Sequence, residues 1–165
     1  MNSCDYDSKI LELLDFENSY YSENENNWQD LRYADRKAFM LGWCAGAPGI
    51  AMARKRMIEY TCNGTIAKVC DKDIKRASST LENADQLKRD SLCCGNSALL
   101  AVCGFLGLEN SRVFEKLESR LKTQSLNMYH PLGTCDINCG LMQGFAGVGY
   151  ALAMYGDPFC GGMMV

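Results

Sequence analysis

Two adjacent cysteines precede a glycine in "SLCCGNSALL", residues 91–100, and a third cysteine precedes another in "WCAGAPGIAMA", which starts at Trp43. Cys93 and Cys44 each stand two positions before their glycines, Gly95 and Gly46, and Cys94 lies beside Cys93. Adjacent cysteines are poorly placed to bridge each other, because the ordinary disulfide geometry is strained across neighbouring residues. Three thiolates from two loops suit Zn²⁺, which is soft enough for sulfur and favours a four-coordinate tetrahedral site. Three protein ligands leave the fourth position open, and open zinc sites are catalytic more often than structural.

Plainer readings stand beside this one. A cysteine at the start of a buried helix commonly packs as a small apolar group. A closed four-thiolate site is another possibility, with Cys135 or Cys139 of "CDINC" as the fourth ligand. Cys103 lies inside an apolar stretch and reads as core. Cys4, Cys62, Cys70 and Cys160 have no evident partners. His130 is the single histidine and precedes a proline in "NMYHPLGTC". It is either a general acid or base or simply an exposed loop residue.

Whether the three sulfurs can meet depends on the elements that carry them. "WCAGAPGIAMA", "LCCGNSALLAV" and "LMQGFAGVGYA" align on Gly46, Gly95 and Gly144, which are spaced 49 residues apart, twice. Equal intervals of this kind mark an internal repeat. After each glycine comes a run of small and apolar residues; "NSALLAVCGFLG" and "FAGVGYALAMY" are apolar nearly all round, as buried helices are. Between them lie amphipathic stretches. Ile66, Val69, Cys70, Ile74 and Ala77 recur three to four residues apart, as do Val113, Phe114, Leu117 and Leu121. The pattern predicts an all-α fold of alternating inner and outer helices in three helical-pair repeats, stacked as a solenoid or closed into a toroid. The glycine loops then face one end of the stack, so Cys44, Cys93 and Cys94 become neighbours. Residues 1–26 form a polar N-terminal segment in which "SKILELLDF" is a candidate outer helix and "ENSYYSENENN" a loop.

Bulk properties narrow the function. The 165 residues are 47% hydrophobic and 22% charged, with a net charge of −3, enough for one domain with a sizeable core. No extended basic run points to nucleic acid; the "RKR" at Arg54–Arg56 is accounted for as a solvated helix end. No stretch reaches the length of a membrane span, and the N-terminus lacks a signal-peptide pattern. The expected location is therefore the cytoplasm, where the ten cysteines stay reduced.

"NWQDLR", "WCAGAPGIAMAR", "LCCGNSALL" and "GLMQGFAGVGYALAMYGDP" together resemble the C-terminal part of the lanthionine synthetase C-like cyclases. The most similar pattern is the cyclase domain of class II, bifunctional lanthipeptide synthetases, over about residues 27–160. The resemblance implies a double toroid of helices with a zinc ion at one end of the inner ring, held here by Cys44, Cys93 and Cys94. Cys94 stands where the usual ligand is histidine, as in the Cys-Cys-Gly subset. The implied reaction adds a peptide cysteine thiolate to dehydroalanine or dehydrobutyrine of the same precursor, giving a lanthionine or methyllanthionine ring. Free cysteine, with a pKa near 8.5, is little ionised at neutral pH, and zinc deprotonates a bound thiol outright. Three thiolate ligands make an electron-rich centre, which implies a fast and less selective cyclase.

The sequence also departs from the family pattern. Three repeats are about half of a ring, so residues 27–165 read as a partial cyclase domain. The family's acid/base Asp and His lie in motifs absent here, so no catalytic residue is carried over, and His130 does not match them. Ala45 stands where His or Tyr often follows the first zinc cysteine. A half-ring exposes apolar flanks, which calls for a second chain supplying the other half or for a homodimer. The alternatives are a catalytically inactive zinc-binding fragment and a peptide-binding helical scaffold.

Overall fold

The computed structural model describes residues 6–128 and 138–156. These residues fold into six α-helices and one short hairpin: α1 (Asp7–Asn18), β1 (Tyr21–Ser22), β2 (Asn27–Trp28), α2 (Ala47–Tyr60), α3 (Gly64–Glu82), α4 (Asn96–Leu106), α5 (Arg112–Thr123) and α6 (Phe145–Gly156). The all-α class expected from the periodicity is the observed one. His130, Cys135, Cys4 and Cys160 lie outside the described residues.

The helices form two rows. α2, α4 and α6 pack on one another in chain order, and α1, α3 and α5 form the second row against them. α4 is apolar on all sides and sits at the centre, with every residue from Asn96 to Cys103 buried. The apolar stripe of α5 behaves as its spacing predicts: Val113, Phe114, Leu117 and Leu121 are all buried against the core. Along α3 the buried stripe runs through Ile66, Cys70, Asp73, Ala77 and Leu81, with Val69 and Ile74 half-buried. α1 covers the lower part of α3, where Leu14, Ile66 and Cys70 make a small second core.

Local chemistry sets the helix ends. Asn63 caps α3 by accepting from the backbone N–H groups of Thr65 and Ile66. Ser111 caps α5 through the Phe114 N–H. α2 carries a proline in its first turn, where the missing N–H costs nothing. Gly107, with φ of 80°, ends α4 and lets the Leu108 N–H return to the Cys103 carbonyl at 2.9 Å.

Two regions differ from the sequence expectation. "ENSYYSENENN" is not simply a loop: Glu17 and Asn18 end α1, and the rest forms a hairpin closed by Tyr21 opposite Trp28. Those two rings meet edge to face at 4.7 Å, and Arg76 stacks on Tyr21 from outside. An aromatic contact across the hairpin thus outweighs a polar local composition. The "RKR" cluster is not a solvated end either. Arg54 is buried and pairs with the buried Asp73 at 2.9 Å and with Glu17 at 2.5 Å. Lys55 and Arg56 lie over the Phe105 ring.

Candidate functional site

The three glycine loops come together at one end of the inner row, as the repeat requires. Their geometry repeats with the sequence. The Asn96 N–H donates to the Arg89 carbonyl at 2.9 Å, and the equivalent Phe145 N–H donates to the Asn138 carbonyl at 2.8 Å. In the first loop the Ala47 N–H goes to the Asn27 side chain instead, at 2.8 Å, while Asn27 donates to the Met40 carbonyl. At each shared glycine the chain folds back so tightly that a Cβ would strike backbone: Met40 O at Gly46, Ser91 N and Arg89 O at Gly95, Asn138 O at Gly144. Gly46 adds a φ of 82°, a region that side-chain-bearing residues rarely occupy.

Backbone hydrogen bonds through Cys93 tie the loops together. Its carbonyl accepts from the Trp43 N–H at 2.9 Å, and its own N–H donates to the Met142 carbonyl at 2.8 Å. The middle loop is therefore held between the first and the third. Gly42 and Ala45 close a tight turn with reciprocal hydrogen bonds of 3.1 and 3.4 Å, leaving Cys44 exposed at its tip. Gly42 also lies against the Cys93–Cys94 pair; a Cβ there would stand 3.1 Å from the Cys94 Cβ.

Cys44, Cys93 and Cys94 are thus neighbours, as their positions in the repeat predict. Burial, followed by the like charge of the Cys94 and Cys44 sulfurs, pushes the Cys93 thiol up to about 11. Metal coordination deprotonates a thiol, so binding of a metal is coupled to release of protons. In kind, three cysteine sulfurs are donors suited to a thiophilic ion such as zinc. Among the described residues no three His, Cys, Asp or Glu side chains are placed together so as to hold a metal ion.

Buried polar groups hold the middle loop. The Asp90 carboxylate accepts from Asn96 at 2.7 Å, from the Asn127 N–H at 2.7 Å and from Arg120 at 2.9 Å. Asn96 also exchanges two hydrogen bonds with the backbone of Leu87. Beside Cys44 opens a cavity of about 370 Å³, bordered by Phe16, Tyr20, Trp28, Leu31 and Arg32. Asp30 grips Arg32 there, and the pair was not singled out by spacing, although it falls within "NWQDLR".

The remaining cysteines divide by position. Cys103 is buried in α4, as expected, and its surroundings push the thiol up to about 12. Cys70 is buried against Met57. Cys62 and Cys139 are exposed. A fourth ligand from Cys135 falls outside the described residues.

No helix among the described residues is long and apolar enough to cross a membrane. The family described as lanthionine synthetase C-like protein matches residues 1–158, so the likeness reaches further towards the N-terminus than the motifs do. No match was found among the curated proteins or the solved structures. Since the match runs over nearly the whole chain, this protein belongs to the lanthionine synthetase C-like family.

Proposed function

We propose that this chain is the zinc-binding module of a lanthipeptide cyclase of the class II, Cys-Cys-Gly kind. Cys44, Cys93 and Cys94 are the metal ligands, and the substrate is a precursor peptide carrying dehydrated Ser or Thr and free cysteine. The observation that carries this reading is the knitting of three equivalent loops through the backbone of Cys93, which gathers the three cysteines at one end of the inner helices.

Zinc held by these thiolates would supply an ionised, positioned substrate thiol at neutral pH. In the overall reaction a C–S bond forms at the β-carbon of the dehydro residue. The alkene electron pair moves to the α-carbon, and the thiol proton ends there. The chain's own part is to hold the ligands and to offer the cavity beside Cys44 to the peptide. Phe16, Trp28 and Leu31 give that cavity an apolar border.

The ring is partial in this reading. α6 is apolar, yet Phe145, Ala146, Gly149 and Ala153 are exposed along one side of it. An inner helix of a closed ring would have that side covered. A second chain or a second copy would complete the enclosure and contribute the proton donor.

Metal content of the purified chain, followed by incubation of the loaded chain with a dehydrated, cysteine-containing peptide, tests the reading. One zinc per chain and thioether rings above the uncatalysed level support an active module. One zinc without rings, alone or with a first-half partner, leaves a zinc-binding fragment. A folded chain that takes up no zinc refutes the metal centre.

A further inference from the structure

Arg32 stands beside the Cys44 sulfur, and its position is imposed by Asp30. The buried Asp30 carboxylate accepts from Arg32 Nε at 2.9 Å, from Nη2 at 2.7 Å and from the Arg32 backbone N–H at 3.1 Å. Asp30 is itself anchored, since its N–H donates to the Ala38 carbonyl at 2.8 Å. With Nε and Nη2 engaged, Nη1 is aimed at the first-repeat cysteine and donates to Cys44 Sγ at 3.7 Å. Nη2 also touches Met40 Sδ at 3.2 Å. The Arg32 side chain is 57% exposed while Asp30 is 3% exposed. A solvent-facing guanidinium is therefore fixed in direction by a buried carboxylate.

We propose that Arg32, oriented by Asp30, is a positioning residue that donates a hydrogen bond to the Cys44 sulfur and draws electron density from it. The inference rests on the reading of Cys44 as a metal ligand. Groups hydrogen-bonded to ligating atoms set both their direction and their donor strength. A centre with three thiolates carries excess negative charge, and a fixed cation on one sulfur offsets part of it. Arg suits this place because its planar fork engages the carboxylate with one edge and still presents a donor elsewhere.

Cobalt(II), used in place of zinc, gives a readout independent of activity, because its sulfur-to-metal charge-transfer band reports electron density on the ligands. Wild type, Arg32→Gln, Arg32→Lys and Asp30→Asn would each be titrated with cobalt(II). Arg32→Gln should still bind one ion per chain, with affinity lowered about tenfold and the band moved to longer wavelength. Arg32→Lys, which keeps the charge but loses the fork, should restore the band position only in part, and Asp30→Asn should shift it part of the way. A band that stays in place in cobalt-loaded Arg32→Gln overturns the role of Arg32 and leaves the metal centre intact. A wild-type chain that binds no cobalt overturns both.

Discussion

The backbone N–H of Trp43 donates to the carbonyl of Cys93 at 2.9 Å, and this single bond sets the first cysteine loop against the second. Cys44 follows Trp43 and Cys94 follows Cys93, so their side chains extend from the two ends of one hydrogen bond. The contact leaves no room on the Gly42 side, where a Cβ would stand 3.1 Å from the Cys94 Cβ and 3.4 Å from the Cys93 carbonyl oxygen.

Gly42→Val should therefore push the loops apart. Metal affinity is expected to fall on the order of tenfold, the lower end of what loss of a supporting contact costs, with a stability loss of about 1–3 kcal/mol from overpacking. Gly64→Ala is the matched control, because nothing lies near a Cβ at that position. Competitive zinc titration of both variants compares them; equal affinities would remove Gly42 from the site.

Asp90 joins stability to the site. It is fully buried and receives Arg120, Asn127 and Asn96. Asp90→Ala strands the Arg120 charge, and breaking such a buried pair costs roughly 3–5 kcal/mol. Urea denaturation should show that loss, and zinc binding should weaken with it because the loop carrying Cys93 and Cys94 is released.

Arg54 and Asp73 call for a paired test. Asp73 Oδ2 accepts from Arg54 and from Asn18, while Oδ1 has no partner among the described residues. Asp73→Ala is expected to cost about 3–5 kcal/mol by leaving the arginine buried and poorly matched. The double variant Arg54→Met, Asp73→Leu should cost less than Asp73→Ala, since similar apolar volume replaces both charges. Denaturation midpoints of the three proteins decide it.

Cys103 makes the alkaline limb of stability informative. Burial chiefly, helped by Glu82 and Glu109, pushes its thiol up to about 12, above the ordinary value near 8.5 in an unfolded chain. Folding thus favours the neutral thiol. The contribution is complete below about pH 8.5 and is lost as pH rises towards 12. Cys103→Ala should show a shallower fall in stability between those limits than wild type. Alkylation at pH 8 should label the exposed Cys62 and spare Cys103 until the protein unfolds.

Much of the fold was legible in the residues themselves. The spacing of Val113, Phe114, Leu117 and Leu121 determined the buried face of α5, because helical periodicity is a local property. The run after Gly95 determined a central helix, because a segment with no polar side has nowhere else to go. The interval of 49 residues between the shared glycines determined that Cys44 and Cys93 occupy equivalent loops. Tertiary structure decided what those loops touch. Trp43 reaches Cys93, Asp30 turns Arg32 onto Cys44, and Asp73 enters an apolar stripe to meet Arg54, 19 residues away. Tyr21 and Trp28 make a hairpin out of a polar segment. A hydrogen-bond donor does not carry its acceptor's address in the sequence; the acceptor is chosen when the helices dock and leave one partner within reach.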